Sequence, residues 1–386
     1  MAVAKKIVNT LDEEPGGCSN SIISEEDWRI AEKNSFKNIE DLQQNMFLSS
    51  NDISALKPVV KKYHMRITPY YLSLVQNPFN SQDPIRKQCV PSLEELYDTE
   101  EDTLDPLGEE KTSPIPCLVH RYPDRVLFVV TGRCFMYCRH CTRKRLWKNK
   151  NCEPTLKELE LGFQYIKDNP QIREVVVSGG DPLTLPTKKL DYILSNLARL
   201  GNIQAIRIGT RTPVVFPQRI DEPLCAMLEK YSSLWINVQF NHPREITPES
   251  TEACRKLQRC GIPLNNQSVL LKGVNDDPQV MIELCHKLQS IRVRPYYLFE
   301  CDPVVGASHF RTPVGKGIEI IKKMRGYTGG MCVPTFVVDG IDGRGKVPLN
   351  PDYLVSINDD EVVLKSYNGE VFRYRNPREA SELTSP

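Results

Sequence analysis

No apolar run in the sequence approaches the roughly 18–20 residues that cross a bilayer as a helix. A membrane-spanning protein is therefore not expected. Net charge is nearly missing as well, with a formal balance of +1 at pH 7. Such a chain has no global field to draw nucleic acid or an anionic membrane surface. The opening MAVAKKIVNTLDEEPGG lacks the apolar core of a secretory signal. A regular cysteine framework is absent too. The chain holds 13 cysteines, an odd number, and their spacing is irregular outside one loop. That argues against a disulfide scaffold and for a reducing, cytoplasmic setting. No internal repeat or low-complexity segment stands out. What the chain has is bulk: 386 residues with 40% hydrophobic content allow a large core and more than one structural unit.

From Arg125 onward, short β-branched runs alternate with helical stretches. The runs are VLFVV, REVVVSGGDP, QAIRIGTRT, LWINVQFN, LNNQSVLLKG and RPYYLFECD. Helical periodicity fills the gaps, from TLKELELGFQYIKDN to PQVMIELCHKLQ, and KGIEIIKKMRG follows the last run. Six strand–helix alternations predict a parallel sheet closed or partly closed into a barrel. The two further units of an eightfold barrel are not found. The fold class is therefore α/β, a partial (βα)6 TIM-like barrel over residues 116–330. Residues 1–115 read as a polar, helix-rich region in which EEDWRIAEKNSF and SLEELYD are amphipathic and Ser24 caps the first. The acidic TEEDTLDPLGEEKTSPIP reads as a linker over the surface. Residues 331–386 read as a short α+β appendage over the barrel mouth: a strand, a glycine-broken loop, and a hairpin about Asn368-Gly369.

Cys134, Cys138 and Cys141 crowd one loop, TGRCFMYCRHCTRKR, just past the C-terminal end of the first predicted strand. α/β folds place their chemistry there. Thiolates suit zinc or an iron–sulfur cluster. A zinc knuckle needs a fourth ligand, which His120 or His140 can supply. A [4Fe–4S] cube on three cysteines keeps one iron free for another ligand. Three unrelated buried thiols are a further reading. The absence of a fourth cysteine at a Cys-x2-Cys interval favours the cube.

Other motifs carry less by themselves. In Ser178-Gly179-Gly180-Asp181-Pro182, two glycines let the backbone approach a ligand, and a carboxylate can accept from an ammonium. The same residues also make an ordinary strand-to-helix turn. Asn266-Gln267-Ser268 can face a barrel mouth and hold a nucleoside, or simply lead into a turn. Arg121 and Arg125 can clamp a phosphate, or stay solvated. Lys346, in the glycine-rich DGRGKVP, can form a Schiff base with an aldehyde or serve as a surface charge. Asp302 and Asp339 each end an apolar run. If partly buried they need partners, such as a shared cation or a neighbouring turn.

The Cys-x3-Cys-x2-Cys spacing, with Tyr137 before the second cysteine, resembles the radical S-adenosylmethionine (SAM) superfamily. Longer runs between about Arg66 and Tyr353 resemble one family within it, lysine 2,3-aminomutase, which also uses pyridoxal phosphate. These runs are MRITPYYLSL, HRYPDRVLF, YCRHCTRKR, RIGTRTPVV, HFRTPVGKGIEII and VPTFVVD. The resemblance implies that Cys134, Cys138 and Cys141 hold a [4Fe–4S] cluster. It implies that Lys346 is the catalytic lysine, bonded to pyridoxal phosphate whose phosphate meets Arg121 and Arg125. Arg143 would pair with the substrate carboxylate, and Asp302 with Asp339 would receive a side-chain ammonium. His140, Gly179, Gly180, Asp181 and Gln267 would contact SAM.

The implied reaction is a 1,2-migration of an amino group between L-lysine and β-lysine, in a radical SAM barrel. Ornithine, arginine and glutamate are the other substrates considered, and a zinc-bound binding module is the non-enzymatic alternative. The glutamate-acting relatives replace the acidic pair with a lysine and an asparagine. The implied partners are a small amino acid, a reductant such as flavodoxin or ferredoxin, and further copies in a homo-oligomer. Two departures stand out. Asp277 occupies a position where the clostridial type has a zinc-binding cysteine, and no cysteine follows Cys332, so that zinc site is not expected. Gln239 stands where a histidine is expected.

Overall fold

The computed structural model describes residues 27–44, 48–148 and 153–377. Nine strands form one sheet in strictly sequential order. They are β1 (Leu118–Tyr122), β2 (Arg125–Thr131), β3 (Glu174–Gly179), β4 (Ala205–Thr210), β5 (Leu234–Val238), β6 (Leu264–Leu270), β7 (Arg294–Glu300), β8 (Thr335–Gly340) and β9 (Gly345–Pro348). Strands β2 to β8 run parallel, and β1 and β9 pair antiparallel at the two ends. The two ends approach each other: the Lys346 backbone N–H on β9 donates to the Tyr122 hydroxyl on β1 at 3.0 Å. The barrel is thus nearly closed.

Alternation along the strands decides what faces where. Val126, Phe128 and Val130 of β2 are buried under the outer helices, as are Val175 and Val177 of β3 and Ile206 and Ile208 of β4. The intervening residues face inward and are only half-buried. Period 2 puts one set on each face. The inward set includes Ser178, Arg207, Asn237 and Gln267, so the interior is a polar cavity rather than a filled apolar core. The outer helices follow the expected alternation. They include Leu156–Asp168, Thr187–Ala198, Pro248–Arg259, Pro278–Ser290 and Val314–Met324. Thr155 and Thr247 close capping boxes, and Asp277 is the N-cap of the Pro278–Ser290 helix.

Several details differ from the sequence reading. Strands β8 and β9 belong to the barrel sheet, so Asp339 and Lys346 sit in its wall. Lys346 lies on a strand rather than in a loop. Among the described residues the appendage proper is a separate antiparallel sheet of β10 (Leu354–Ile357), β11 (Glu361–Lys365) and β12 (Val371–Arg375), with the expected hairpin at Asn368-Gly369. Its residues do not line the cavity.

The acidic segment 99–116 borders the mouth instead. Thr103 exchanges backbone bonds with the loop after β7, at 3.0 and 3.1 Å, and Asp342 N donates to Pro106 O at 3.1 Å. This segment buries Glu109, so it is not a surface linker. SLEELYD forms only a short 3-10 turn, Leu93–Leu96, because Glu95 is drawn inward to buried Arg139 and Lys144. The long N-terminal helix is Ser50–Lys62, started by a Ser49–Asp52 capping box that the sequence reading passed over. Ser24 lies outside the described residues.

Candidate active site

A cavity of about 790 Å³ opens inside the barrel, and a smaller one of about 270 Å³ adjoins it beneath the cysteine loop. They share Arg143, Ser178, Asn237, Gln239 and Gln267 as walls. Every residue to which the resemblance gives a role lines one or both, whereas His120, Asn266 and Ser268 line neither.

The smaller cavity holds Cys134, Cys138, Cys141, His140, the Gly179-Gly180-Asp181 turn and Gln267. The cysteine loop leaves β2 and crosses directly over the glycine turn that leaves β3. Gly180 N donates to Thr131 O at 2.6 Å, and Asp181 N donates to Arg133 O at 2.7 Å. A Cβ on Gly179 would meet Thr131 O at 2.3 Å, and one on Gly180 would meet Arg133 O at 2.2 Å. The two glycines therefore let the turn dock against the cysteine loop. Asp181 is spent the same way. Its carboxylate accepts from Thr210 Oγ1 at 2.7 Å, Arg211 N at 2.8 Å and Leu183 N at 3.0 Å. Burial raises its pKa all the same.

Around the half-buried thiols the environment is cationic. Burial pushes Cys134 well up and Cys141 to about 11, so these thiols hold their protons until a cation displaces them. Arg211, at the end of β4, donates from Nη1 to Cys138 Sγ at 2.9 Å and from Nη2 to Glu245 Oε1 at 2.7 Å. Arg143 N donates to Cys141 Sγ at 3.4 Å. Such donors suit sulfurs that carry negative charge in a cluster.

The two histidines weighed as a fourth zinc ligand have other neighbours. His120 Nδ1 bonds the Tyr165 hydroxyl at 2.8 Å, and His140 Nε2 lies 3.2 Å from Gln239 Nε2. Burial, with Arg211 nearby, pulls His140 well down, so it is neutral. Gln239 thus contacts a SAM candidate directly. On β6 the period of two separates neighbours. Asn266 and Ser268 turn away to bond the Phe240 backbone, while Gln267 faces the cavity.

The larger cavity gathers Lys346, Asp339, Asp302, Arg143, Arg121 and Arg125. Asp339 and Lys346 are directly opposite in the β8–β9 register, and their side chains pair at 3.0 Å. Asp302, beyond the end of β7, accepts from Thr142 Oγ1 at 2.7 Å. Burial lifts its pKa to about 6. The Thr142 hydroxyl opposes that rise, nearby Asp339 adds to it, and Lys346 and Arg143 oppose it.

Arg143 grips Glu109 through Nε at 3.0 Å and Nη2 at 2.6 Å, and Arg145 Nη2 shares the carboxylate at 2.7 Å. Burial alone would raise Glu109, but the two guanidiniums outweigh it and hold the carboxyl at about 2. Near the rim, Arg125 lies 3.9 Å over the Tyr122 ring and pairs with Asp124 at 2.8 Å. Arg121 bonds the Leu107 carbonyl, yet its buried Nε has no partner. An unsatisfied guanidinium nitrogen beside a second arginine suits a phosphate, and Lys346 across the cavity suits the aldehyde of pyridoxal phosphate.

Glu109, Tyr122, Thr142 and Arg211 were not singled out from the sequence. Arg211 had a usable signal, since it directly follows a barrel strand's C-terminal end. Glu109 had none, being one acid among many in a turn-rich stretch.

A parallel-rich barrel with a three-cysteine loop beyond its first parallel strand defines a radical SAM enzyme, and residues 128–285 match the radical SAM superfamily. Residues 321–385 match the family described as lysine-2,3-aminomutase. The L-lysine 2,3-aminomutase of Clostridium subterminale is 48% identical over 351 residues, covering 91% of this chain and 84% of that one. That of Bacillus subtilis is 45% identical, covering 91% and 74%. The glutamate 2,3-aminomutase of Clostridioides difficile is 44% identical, covering 91% and 83%. Streptococcus suis SuiB bound to S-adenosylmethionine overlaps 57% of this chain and 51% of its own, at 14% identity and a TM-score of 0.44. The chain belongs to the lysine 2,3-aminomutase family, as its sequence runs anticipated. It is an isomerase whose cofactors are a [4Fe–4S] cluster, SAM and pyridoxal phosphate.

Proposed function

We propose that the protein interconverts L-lysine and β-lysine, with Arg143 on the α-carboxylate and Asp302 with Asp339 on the side-chain ammonium. The observation that carries the substrate choice is the acidic pair Asp302 and Asp339 in a cavity whose other lining acids, Glu300 apart, are paired with arginines: Glu109 with Arg143, Asp124 with Arg125 and Glu174 with Arg207. A γ-carboxylate turned toward Asp302 and Asp339 would be repelled, whereas an ammonium relieves both. This supports lysine over glutamate.

When bound, the cofactors supply a carbon radical that takes a hydrogen atom from C3 and an electron-accepting ring that carries the nitrogen across. The chain's own residues do the placing. Lys346 offers the amine that bonds the cofactor aldehyde, and Arg121 with Arg125 anchors the phosphate. Engaging Lys346 releases Asp339 from its present ion pair, leaving that carboxylate for the substrate. Arg143 trades part of its hold on Glu109 for the substrate carboxylate, and Arg145 keeps Glu109 in place. His140, Gln267 and the Gly179-Gly180-Asp181 turn bound the SAM space beside Cys134, Cys138 and Cys141. Placing reacting atoms within about 3–3.5 Å of one another is what the fold contributes to rate.

A one-electron reductant of the flavodoxin or ferredoxin type completes the reading. A cytoplasmic setting is supported by the eleven described cysteines, all of them free. Assembly with further copies is supported by the exposed apolar residues Leu354, Val355, Ile357, Val371, Phe372 and Tyr374 of the separate sheet.

The test is anaerobic incubation with SAM, pyridoxal phosphate, dithionite and, in parallel, lysine, ornithine, arginine or glutamate. β-Lysine as the dominant product is expected. Faster turnover of glutamate would overturn the substrate assignment.

A further inference from the structure

The cysteine loop has two sides. Its inner side faces the barrel, where SAM and substrate must be shielded from water. Its outer side borders a separate concavity of about 580 Å³, whose walls include Glu32, Lys33, Lys37, His64, Arg66 and Arg133. This groove touches the loop directly. Arg66 Nη1 donates to Cys134 O at 3.0 Å, and Tyr137 N donates to Arg66 O at 3.0 Å.

Its charge is one-sided. Among the described residues that line the groove, four cationic side chains, Lys33, Lys37, Arg66 and Arg133, stand against one carboxylate. That carboxylate, Glu32, is divided between Arg66 at 2.6 Å and Arg133 at 3.0 Å. Lys33 and Lys37 are exposed. Of the acids on the adjoining Ile39–Gln44 helix, Glu40 is drawn away from the groove, whereas Asp41 borders it and offsets part of its positive charge. Glu40 faces Lys57 at 3.9 Å, and Asp41 accepts from the Lys37 and Asn38 backbone N–H groups at 3.0 Å. In a chain of net charge +1 this is a local concentration of positive charge beside the cysteine loop.

We infer that this groove is the docking surface for the electron donor, a small acidic one-electron carrier protein. The inference rests on the radical reading above. Two observations carry it. The path is short: from Arg66 one hydrogen bond reaches the Cys134 carbonyl, and Cys134 itself bears a cluster sulfur. The field suits an acidic protein, because opposite charge steers encounter and orients it with its redox centre toward the loop. One electron leaves the carrier, which is oxidised, and enters the group held by Cys134, Cys138 and Cys141, which is reduced. No proton or leaving group moves.

The test compares two reductants on the cluster-loaded enzyme. Lys33→Glu and Lys37→Glu are introduced together, with Lys157→Glu, exposed on the barrel's outer Leu156–Asp168 helix, as a control. Cluster reduction is followed by its visible absorbance with reduced flavodoxin and, separately, with dithionite. Binding of flavodoxin is measured by titration. The double reversal is expected to slow flavodoxin-driven reduction and weaken binding about tenfold or more, and to flatten the salt dependence of the rate. Dithionite-driven reduction, and the control in both arms, stay unchanged. An unaltered flavodoxin rate in the double variant overturns the inference. If the double reversal lowers iron content, the Lys33→Ala and Lys37→Ala pair is read by the same criteria. Failure of dithionite to generate turnover in the unaltered enzyme refutes the radical reading rather than the docking surface.

Discussion

Replacing Asp302 with Asn separates the two things this carboxylate does. The side chain keeps its size and can still accept from Thr142 Oγ1, which stands 2.7 Å away. What is lost is an ionisation the protein resists: burial has moved the pKa from 3.8 to about 6. About two units correspond to roughly 3 kcal/mol by which the surroundings disfavour the charged form. The folded pKa lies above the unfolded one, so between pH 4 and 6 the folded chain holds a proton that the unfolded chain has released. Stability is therefore lost as pH rises through that window, and the cost is complete above it. Asp302→Asn should stabilise the protein at pH 7.5 by up to about 3 kcal/mol, and by little at pH 4. The same change removes a charged acceptor for the substrate ammonium, worth about 1.5–3 kcal/mol, or roughly 10- to 100-fold in the KM for lysine. The KM for SAM should not move. Denaturant unfolding at several pH values, paired with anaerobic kinetics, reads both. A variant that is less stable at pH 7.5 and binds lysine normally would refute the reasoning, because Asp302 would then be an ordinary structural acceptor.

Two further perturbations probe the cavity and its support. Lys346→Ala should abolish retention of pyridoxal phosphate through desalting, read by absorbance, while iron content stays unchanged; retained cofactor would remove Lys346 from its role. It also strips Asp339 of its 3.0 Å cation. Glu95→Gln leaves Arg139 and Lys144, both buried and held at 2.6 and 2.9 Å, without their counter-charge. Burial already pulls Lys144 down to about 8, with Glu95 opposing that fall. A loss of about 3–5 kcal/mol in denaturant unfolding is expected. A loss below about 1 kcal/mol would mean the cations find other partners.

The barrel strands and helices from Arg125 onward were readable because period 2, period 3.6 and turn residues are local. VLFVV announces a buried strand wherever it lies, and the spacing of Cys134, Cys138 and Cys141 narrowed the readings to zinc, a cluster or separate buried thiols, among which the resemblance to the radical SAM superfamily implied the cluster. The weak points of the reading were non-local. SLEELYD has a helical pattern, but Glu95 is pulled out of register with it by Arg139 and Lys144 on another segment. The 99–116 segment looks like solvent-facing linker until Glu109 meets Arg143 and Arg145.

By itself, then, the amino-acid order determined the strand–helix alternation, the thiolate loop and the kinds of charge available. Only the folded sheet decided which charges meet. Asp339 and Lys346 face each other because β8 and β9 pair in one register, and Tyr122 reaches Lys346 because the sheet's ends nearly close. Gln267 enters the cavity while Asn266 and Ser268 leave it, a choice made by which face of β6 the barrel encloses. The physical reason is range. Backbone preference and side-chain periodicity act over a few residues, whereas a binding site is assembled across strands whose relative positions depend on the whole sheet.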